Sequence, residues 1–250
     1  MNPARVTVAV VVCLLAQARL ALGQDTAADA RLAASVAAAQ RQYADSFIGN
    51  PQLFNGPEYV DYGLRYRNRT GHQFFLSPDK QNGSVFYNGH YFAQVRLAYD
   101  VVRDQVVMPQ PTSPLTFRLI NERVRAFTLG EHRFVRLVAD SSAGNAIRTG
   151  YYEVLVDGPV RVVAKRTKYL QERVIRGGVD VEFTSANKLF VQKAGAYYPV
   201  NNKGAAVRLF ADRGQEVQQY IQGQRLKFRK AQFEDATVQL ARYYSTLPVQ

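Results

Sequence analysis

The segment spanning residues 59–200 alternates short apolar runs with pairs of turn-forming residues, and this pattern restricts the fold more than any other feature. Apolar and polar side chains that alternate with a period of two are typical of β-strands. The strongest turn signal is Asn88-Gly89, between residues 84–87 and 90–99, because both central residues of a type I′ turn need positive φ. Such short links join antiparallel neighbours. We therefore predict an antiparallel meander of about a dozen strands.

After Asn201-Asn202 the period of the pattern changes. Residues 203–211, 214–223 and 231–247 each carry one apolar face at helical spacing. Short amphipathic helices need a surface to cover, so we expect them to pack on the sheet. The predicted fold is mainly β, of the α+β class. It is an antiparallel meander forming a curved sheet, half-barrel or sandwich, with C-terminal helices packed on it.

The first 23 residues have the layout of a secretory signal peptide, with a basic start, an apolar run and small residues before Gln24. The chain's one cysteine, Cys13, lies in this run, so a mature chain has no disulfide and no thiolate metal site. Export without cysteines favours a bacterial envelope protein, either periplasmic or outer-membrane-associated and extracellular. The predicted organisation is a signal peptide (1–23), an Ala-rich helical or flexible segment (24–50), a β domain (51–202) and a helical tail (203–250).

The formal net charge is +12, of which Arg5 and Arg19 supply two and the residues after 114 supply the rest. Residues 24–114 carry 8 basic and 8 acidic side chains, whereas residues 115–195 carry 14 and 8. A positive field attracts anionic surfaces. For an exported protein, these are lipid head groups, lipopolysaccharide or acidic glycans, and another envelope protein is a further candidate partner.

Two basic clusters are candidate anion-binding or surface-binding sites. The first follows a predicted strand, and the second alternates with Leu226 and Phe228. If the second is extended, its cations face one way and its apolar groups the other. The alternative for both is that solvated charges keep an exposed sheet edge from pairing with another chain. The candidate residues are Lys165, Arg166 and Lys168, and Arg225, Lys227 and Arg229.

Residues that would indicate catalysis are scattered along the sequence. The three histidines lie on different predicted hairpins, without the spacing of a zinc site. No G-x-S-x-G motif occurs, nor S-x-x-K with its companion motifs. Asp180 and Glu182 share a strand face at about 6–7 Å, a separation that glycosidases use, but a solvated face also explains them. We predict no catalytic residue, no metal and no cofactor. We also predict no nucleic-acid partner, since the aromatic signature of RNA-binding sheets is missing.

Three stretches together carry a resemblance to known proteins: residues 53–62 (LFNGPEYVDY), 83–107 (GSVFYNGHYFAQVRLAYDVVRDQVV) and 209–247 (LFADRGQEVQQYIQGQRLKFRKAQFEDATVQLARYYSTL). They resemble uncharacterised exported β-rich proteins with a short helical tail, which are common in Bacteroidetes-type bacteria. The resemblance implies an export signal and one β-rich domain. Those proteins have no assigned activity, so it implies no catalytic residues.

Three functions are compatible with these observations. The first is an exported, non-catalytic envelope protein that acts as an interaction or binding module. The second is a carrier or sensor of an apolar or lipid-like ligand, held in the cavity of a half-barrel. The third is a hydrolase with a dispersed site, which requires His90 or His132 beside a carboxylate in a cleft.

Overall fold

A computed structural model of the chain describes residues 35–36, 51–139 and 146–248. The predicted signal peptide lies outside the described residues, as does all of the predicted segment 24–50 except residues 35–36. The chain divides into two compact units, Met1–Gln52 and Leu53–Gln250. Every strand and every helix discussed below belongs to the second unit.

The described part of this unit contains thirteen strands. They are β1 (Asn68–Thr70), β2 (Gln81–Tyr87), β3 (His90–Asp100), β4 (Gln105–Pro109), β5 (Thr116–Arg118), β6 (Val124–Leu129), β7 (His132–Leu137), β8 (Gly150–Val156), β9 (Arg161–Lys165), β10 (Lys168–Ile175), β11 (Gly178–Ser185), β12 (Lys188–Lys193) and β13 (Ala196–Val200). Ten form one sheet, in the order β13-β12-β9-β8-β7-β6-β2-β3-β4-β5. The other three form a second sheet, in the order β1-β11-β10.

The predicted antiparallel meander is confirmed in the large sheet. Consecutive strands are neighbours from β2 through β5 and from β6 through β9. The outer strands β13 and β5 do not pair with each other, so the sheet stays open. The predicted turn at Asn88-Gly89 is confirmed, because φ is 49° at Asn88 and 85° at Gly89. Two antiparallel pairs, β2 with β6 and β9 with β12, join strands that are not consecutive, and β1 lies parallel to β11.

The segment before β2 departs from the strand pattern predicted for residues 59–200, because its one described strand is the short β1. It contains a 3-10 helix at Tyr62–Arg65, which begins where the Asp61 side chain accepts a hydrogen bond from Gly63 N at 2.9 Å. The phenols of Tyr59 and Tyr62 donate to the buried Asp100 carboxylate at 2.8 and 3.2 Å. These side-chain bonds hold the segment together with isolated backbone bonds, such as that from Tyr59 N to Thr116 O at 2.7 Å, in place of a continuous ladder.

Three helices follow β13: α1 (Lys203–Leu209), α2 (Gly214–Gly223) and α3 (Phe233–Thr246). The side chain of Asn202 caps α1 by accepting from Ala205 N at 2.9 Å. Buried residues of α2 and α3 share one apolar cluster with Val162 and Val191 of the sheet. The prediction that the helices pack on the sheet is therefore confirmed. Among the described residues, no helix combines the length and apolarity needed to cross a membrane.

The two faces of the large sheet carry different side chains. The inner face carries Phe127, Phe134 and Tyr151 at one end, and the helices cover its other end. The rings of Phe127 and Phe134 stack at 4.7 Å between centroids, and Tyr99 meets both at 5.3 and 5.1 Å. Aromatic side chains in mutual contact thus fill this face. The outer face carries the intervening residues of each strand, since side chains alternate.

Candidate functional site

The outer face of the large sheet carries a groove of about 550 Å³, which we name the arginine groove. Strand register brings its floor together, because Phe86 of β2, Ala126 of β6 and Val135 of β7 are successive partners. All three are half-buried. Tyr91 of β3 stands at the rim and is 66% exposed. The floor is therefore apolar, and one aromatic ring at its edge remains open to solvent.

Four arginines line the groove, and the side chains of three of them surround its apolar floor. The fourth, Arg136, follows Val135 on β7 and pairs with Tyr151, so its side chain projects from the other face. Arg125 places its guanidinium 5.5 Å from the centre of the Phe86 ring, a cation–π contact, and is bonded to no described polar group. Arg133 and Arg161 share Asp157, with N–O distances of 2.7 and 3.1 Å. Arg133 is 52% exposed at its side chain. Each guanidinium has five N–H donors, so most donors stay available after these contacts.

Asp157 orients two of the three arginines without cancelling their charge. It lies in the turn between β8 and β9, and its hydrogen bond from Arg133 lowers its pKa, with Arg161 acting in the same direction. Asp157 therefore stays ionised well below neutral pH. Three guanidinium groups against one carboxylate leave a local surplus of positive charge. Such a groove can accept a phosphate or carboxylate group at its rim and an apolar group on its floor.

The structure gives the first predicted basic cluster internal acceptors. Arg166 is buried and donates to Glu153 at 2.5 Å and to both oxygens of Glu234 at 2.7 Å. It therefore joins the sheet to the first turn of α3. Lys165 pairs with Asp104 at 2.8 Å.

Lys168 is the third member of that cluster. It donates to the carbonyl oxygens of His72 and Phe74 at 2.8 and 2.6 Å. Burial lowers the pKa of both Lys165 and Lys168. Internal oxygens already contact the charged ends of these three side chains, and their role in binding an external anion stays a prediction.

The second predicted basic cluster remains open to solvent. Arg225, Lys227 and Arg229 are exposed, whereas the intervening Leu226 and Phe228 are half-buried against the helices. The expected alternation is present, although the segment is not a strand: it follows α2 through a turn in which Arg225 has φ of 51°. Their role in binding an anion stays a prediction. Grooves of about 400 and 490 Å³ lie beside Phe233, close to this segment.

His132 meets a carboxylate, as a dispersed hydrolase would require. Its Nδ1 lies 2.5 Å from Glu153 Oε1, and its ring packs edge-on against Phe75. Glu153 is also bound to Arg166, so the pair belongs to the network that ties β8 to α3. Within the described ranges, no hydroxyl or thiol is hydrogen-bonded to this ring and no group of three or more potential metal ligands occurs. The contact accounts for a structural role of His132.

The paired carboxylates Asp180 and Glu182 share one face of β11, as the sequence predicts. This face looks away from the core, because Val181 and Phe183 on the other face are buried. Val179 alternates with these two residues but is 38% exposed, because it lies next to the turn of the β10–β11 hairpin. A groove of about 790 Å³ lies over the two carboxylates.

The arginine groove was not singled out from the sequence, although the basic excess of residues 115–195 pointed to this region. In comparisons with known proteins, no family model, no curated protein and no solved structure matches this chain.

Proposed function

We propose that this protein is an exported, non-catalytic envelope protein whose arginine groove binds phosphate-bearing amphiphiles, such as the head groups of anionic lipids or of lipopolysaccharide. One observation carries the proposal: three arginines stand around an apolar floor in a single open groove. The predicted signal peptide and the net charge of +12 support the same setting. The resemblance to exported β-rich proteins is a third support.

The chemistry of the groove favours a ligand with both an anionic and an apolar part. Guanidinium groups bind phosphate oxygens through two parallel hydrogen bonds, and this geometry is better matched by Arg than by Lys. The floor of Phe86, Ala126 and Val135 offers the acyl or isoprenoid part of an amphiphile a surface that excludes water. The exposed ring of Tyr91 suits the boundary between head group and chain.

The inner face offers less to the alternative of an apolar carrier. There Tyr99, Phe127, Phe134 and Tyr151 are buried and in mutual contact, with ring centroids 4.7 to 5.8 Å apart. The two largest grooves that we describe lie on exposed sheet faces instead. A ligand that requires full enclosure therefore finds no support at these residues.

Removing two arginines tests the groove. We expect Arg125→Gln together with Arg133→Gln to weaken binding to vesicles of three parts phosphatidylcholine and one part phosphatidylglycerol by about 30-fold, since each basic residue near an anionic surface contributes about 1 kcal/mol. The measurement is vesicle co-sedimentation at low and at physiological salt. Wild-type binding should fall as salt rises and should be weak on pure phosphatidylcholine.

Two further variants separate a specific groove from a general positive field. Arg176→Gln with Arg242→Gln removes the same charge from exposed positions outside the groove, and we expect less than a threefold change. Arg225→Gln, Lys227→Gln and Arg229→Gln together test the second basic cluster. Equal losses in the groove variant and the matched control would contradict the proposal, as would binding that neither salt nor phosphatidylglycerol affects.

A further inference from the structure

The three-stranded sheet exposes a regular array of polar side chains, which we name the polar grid. Across the strands, Asp180 faces Asn68 on one side and Arg173 on the other, and Glu182 does the same with Thr70 and Gln171. Residues in register project from the same side of a sheet, so these side chains share one face. The grid consists of Asn68, Thr70, Gln171, Arg173, Asp180 and Glu182, and lines a groove of about 790 Å³.

The grid is not used to hold the fold together. No hydrogen bond or ion pair joins these six side chains to other residues in the described part of the chain, even though Arg173 lies directly across from Asp180. The opposite face of the same strands contributes to packing. Val181 and Phe183 are buried there in an apolar cluster, and Glu172 accepts a hydrogen bond from Tyr66. The polar groups of the grid are therefore available to an external ligand.

We propose that the polar grid binds a neutral, hydroxyl-rich glycan chain. The groove is lined by three arginines (Arg67, Arg69 and Arg173) and three carboxylates (Glu172, Asp180 and Glu182), so it lacks the positive surplus that would attract a polyanion. A sugar hydroxyl both donates and accepts, which matches the acceptors of Asp180 and Glu182 and the donors of Arg173. The amides and the Thr70 hydroxyl serve either role. A groove of this size falls within the range of small-molecule sites, about 300–1,000 Å³.

An exposed tyrosine extends the grid by one position. Tyr169 of β10 pairs with Thr184 of β11 and therefore projects on the same side as Gln171 and Arg173. It is 56% exposed, so its ring is free to stack on the C–H face of a sugar while the grid bonds the hydroxyls. This site is separate from the arginine groove, because it belongs to the other sheet and favours an uncharged ligand.

Titration calorimetry of the full chain with defined tetrasaccharides tests the proposal. The probes are cellotetraose and chitotetraose, which are neutral, and tetragalacturonate, which is anionic. We expect at least one neutral probe to bind and tetragalacturonate to bind more weakly. Glu182→Ala and Tyr169→Ala should each weaken that binding about tenfold. Asp79→Ala, which removes an exposed carboxylate elsewhere, should change it by less than about twofold.

A conservative variant separates hydrogen bonding from charge. Glu182→Gln keeps an acceptor and adds a donor, so it should retain binding within about threefold of wild type. Urea midpoints equal to wild type verify that each variant is folded. The proposal is overturned if neither neutral probe binds, if tetragalacturonate binds more tightly than both, if a neutral probe is cleaved, or if the grid variants bind as the Asp79 control does. None of these results would contradict the proposal for the arginine groove, because its vesicle assay tests other residues.

Discussion

Replacement of Arg166 by methionine is expected to lower the free energy of unfolding by about 3–5 kcal/mol, which is the range for removing one partner of a buried ion pair. The Arg166 side chain is 10% exposed and that of Glu153 is 4% exposed. Methionine fills much of the same volume but leaves Glu153 with His132 as its remaining polar partner. The buried carboxylate, which has then lost its guanidinium partner, lowers the free energy of unfolding far more than the lost packing does. Urea unfolding measures the change, with the slope of the transition checked for two-state behaviour.

A surface pair provides the matched control for this prediction. Arg133 likewise pairs with a carboxylate, that of Asp157, but the side chains of this pair are 52% and 50% exposed. Arg133→Ala should therefore cost less than about 1 kcal/mol. The double variant Arg166→Met with Glu153→Gln removes both buried charges and should recover part of the loss. A double variant as unstable as the sum of the two single changes would show that the charges are not coupled, contrary to this explanation.

Alternation and turn residues carried enough information to predict most of the β domain. They identified the hairpin at Asn88-Gly89 and the change to helices after residue 202, and both are confirmed. Local patterns could not reveal the second sheet. Its parallel pair joins β1 to β11, so Asn68 meets Asp180 across more than a hundred residues of sequence. Period and turn chemistry describe neighbours along the chain, and they carry no signal for such a contact.

Sequence patterns were equally unable to show which basic side chains have acidic partners. The basic residues 165, 166 and 168 form a compact cluster in the sequence, yet Asp104, Glu153 and Glu234 neutralise or orient two of them from distant elements. Conversely, the arginine groove collects side chains from β6, β7 and β9 onto one face. The sequence showed the surplus of arginine in this region. Only strand register decides which arginines stand together and which are buried against carboxylates.

A close approach between two central strands makes Gly83 of β2 a position where an added methyl group should be strongly destabilising. A Cβ there would lie 1.9 Å from the carbonyl oxygen of Thr128 in β6, and 3.6 Å from Leu129 Cα. These are backbone atoms in the middle of the ten-stranded sheet, so no side-chain rotation can relieve the clash. We expect Gly83→Ala to lower the free energy of unfolding by about 3 kcal/mol, at the upper end of the usual cost of overpacking.

Gly178 of β11 is the matched control, because a Cβ at this strand glycine meets no atom within 4 Å. Gly178→Ala should be neutral or should stabilise the protein by about 0.4–1 kcal/mol, since alanine restricts the unfolded chain. Both variants are compared with wild type by urea unfolding. Amide hydrogen exchange in β2 and β6 should also speed up in Gly83→Ala alone, because the two strands must separate locally. If Gly83→Ala proves as stable as Gly178→Ala, then β2 and β6 are not packed as closely as described. The floor of the arginine groove includes residues of both strands, so its described arrangement would also be wrong.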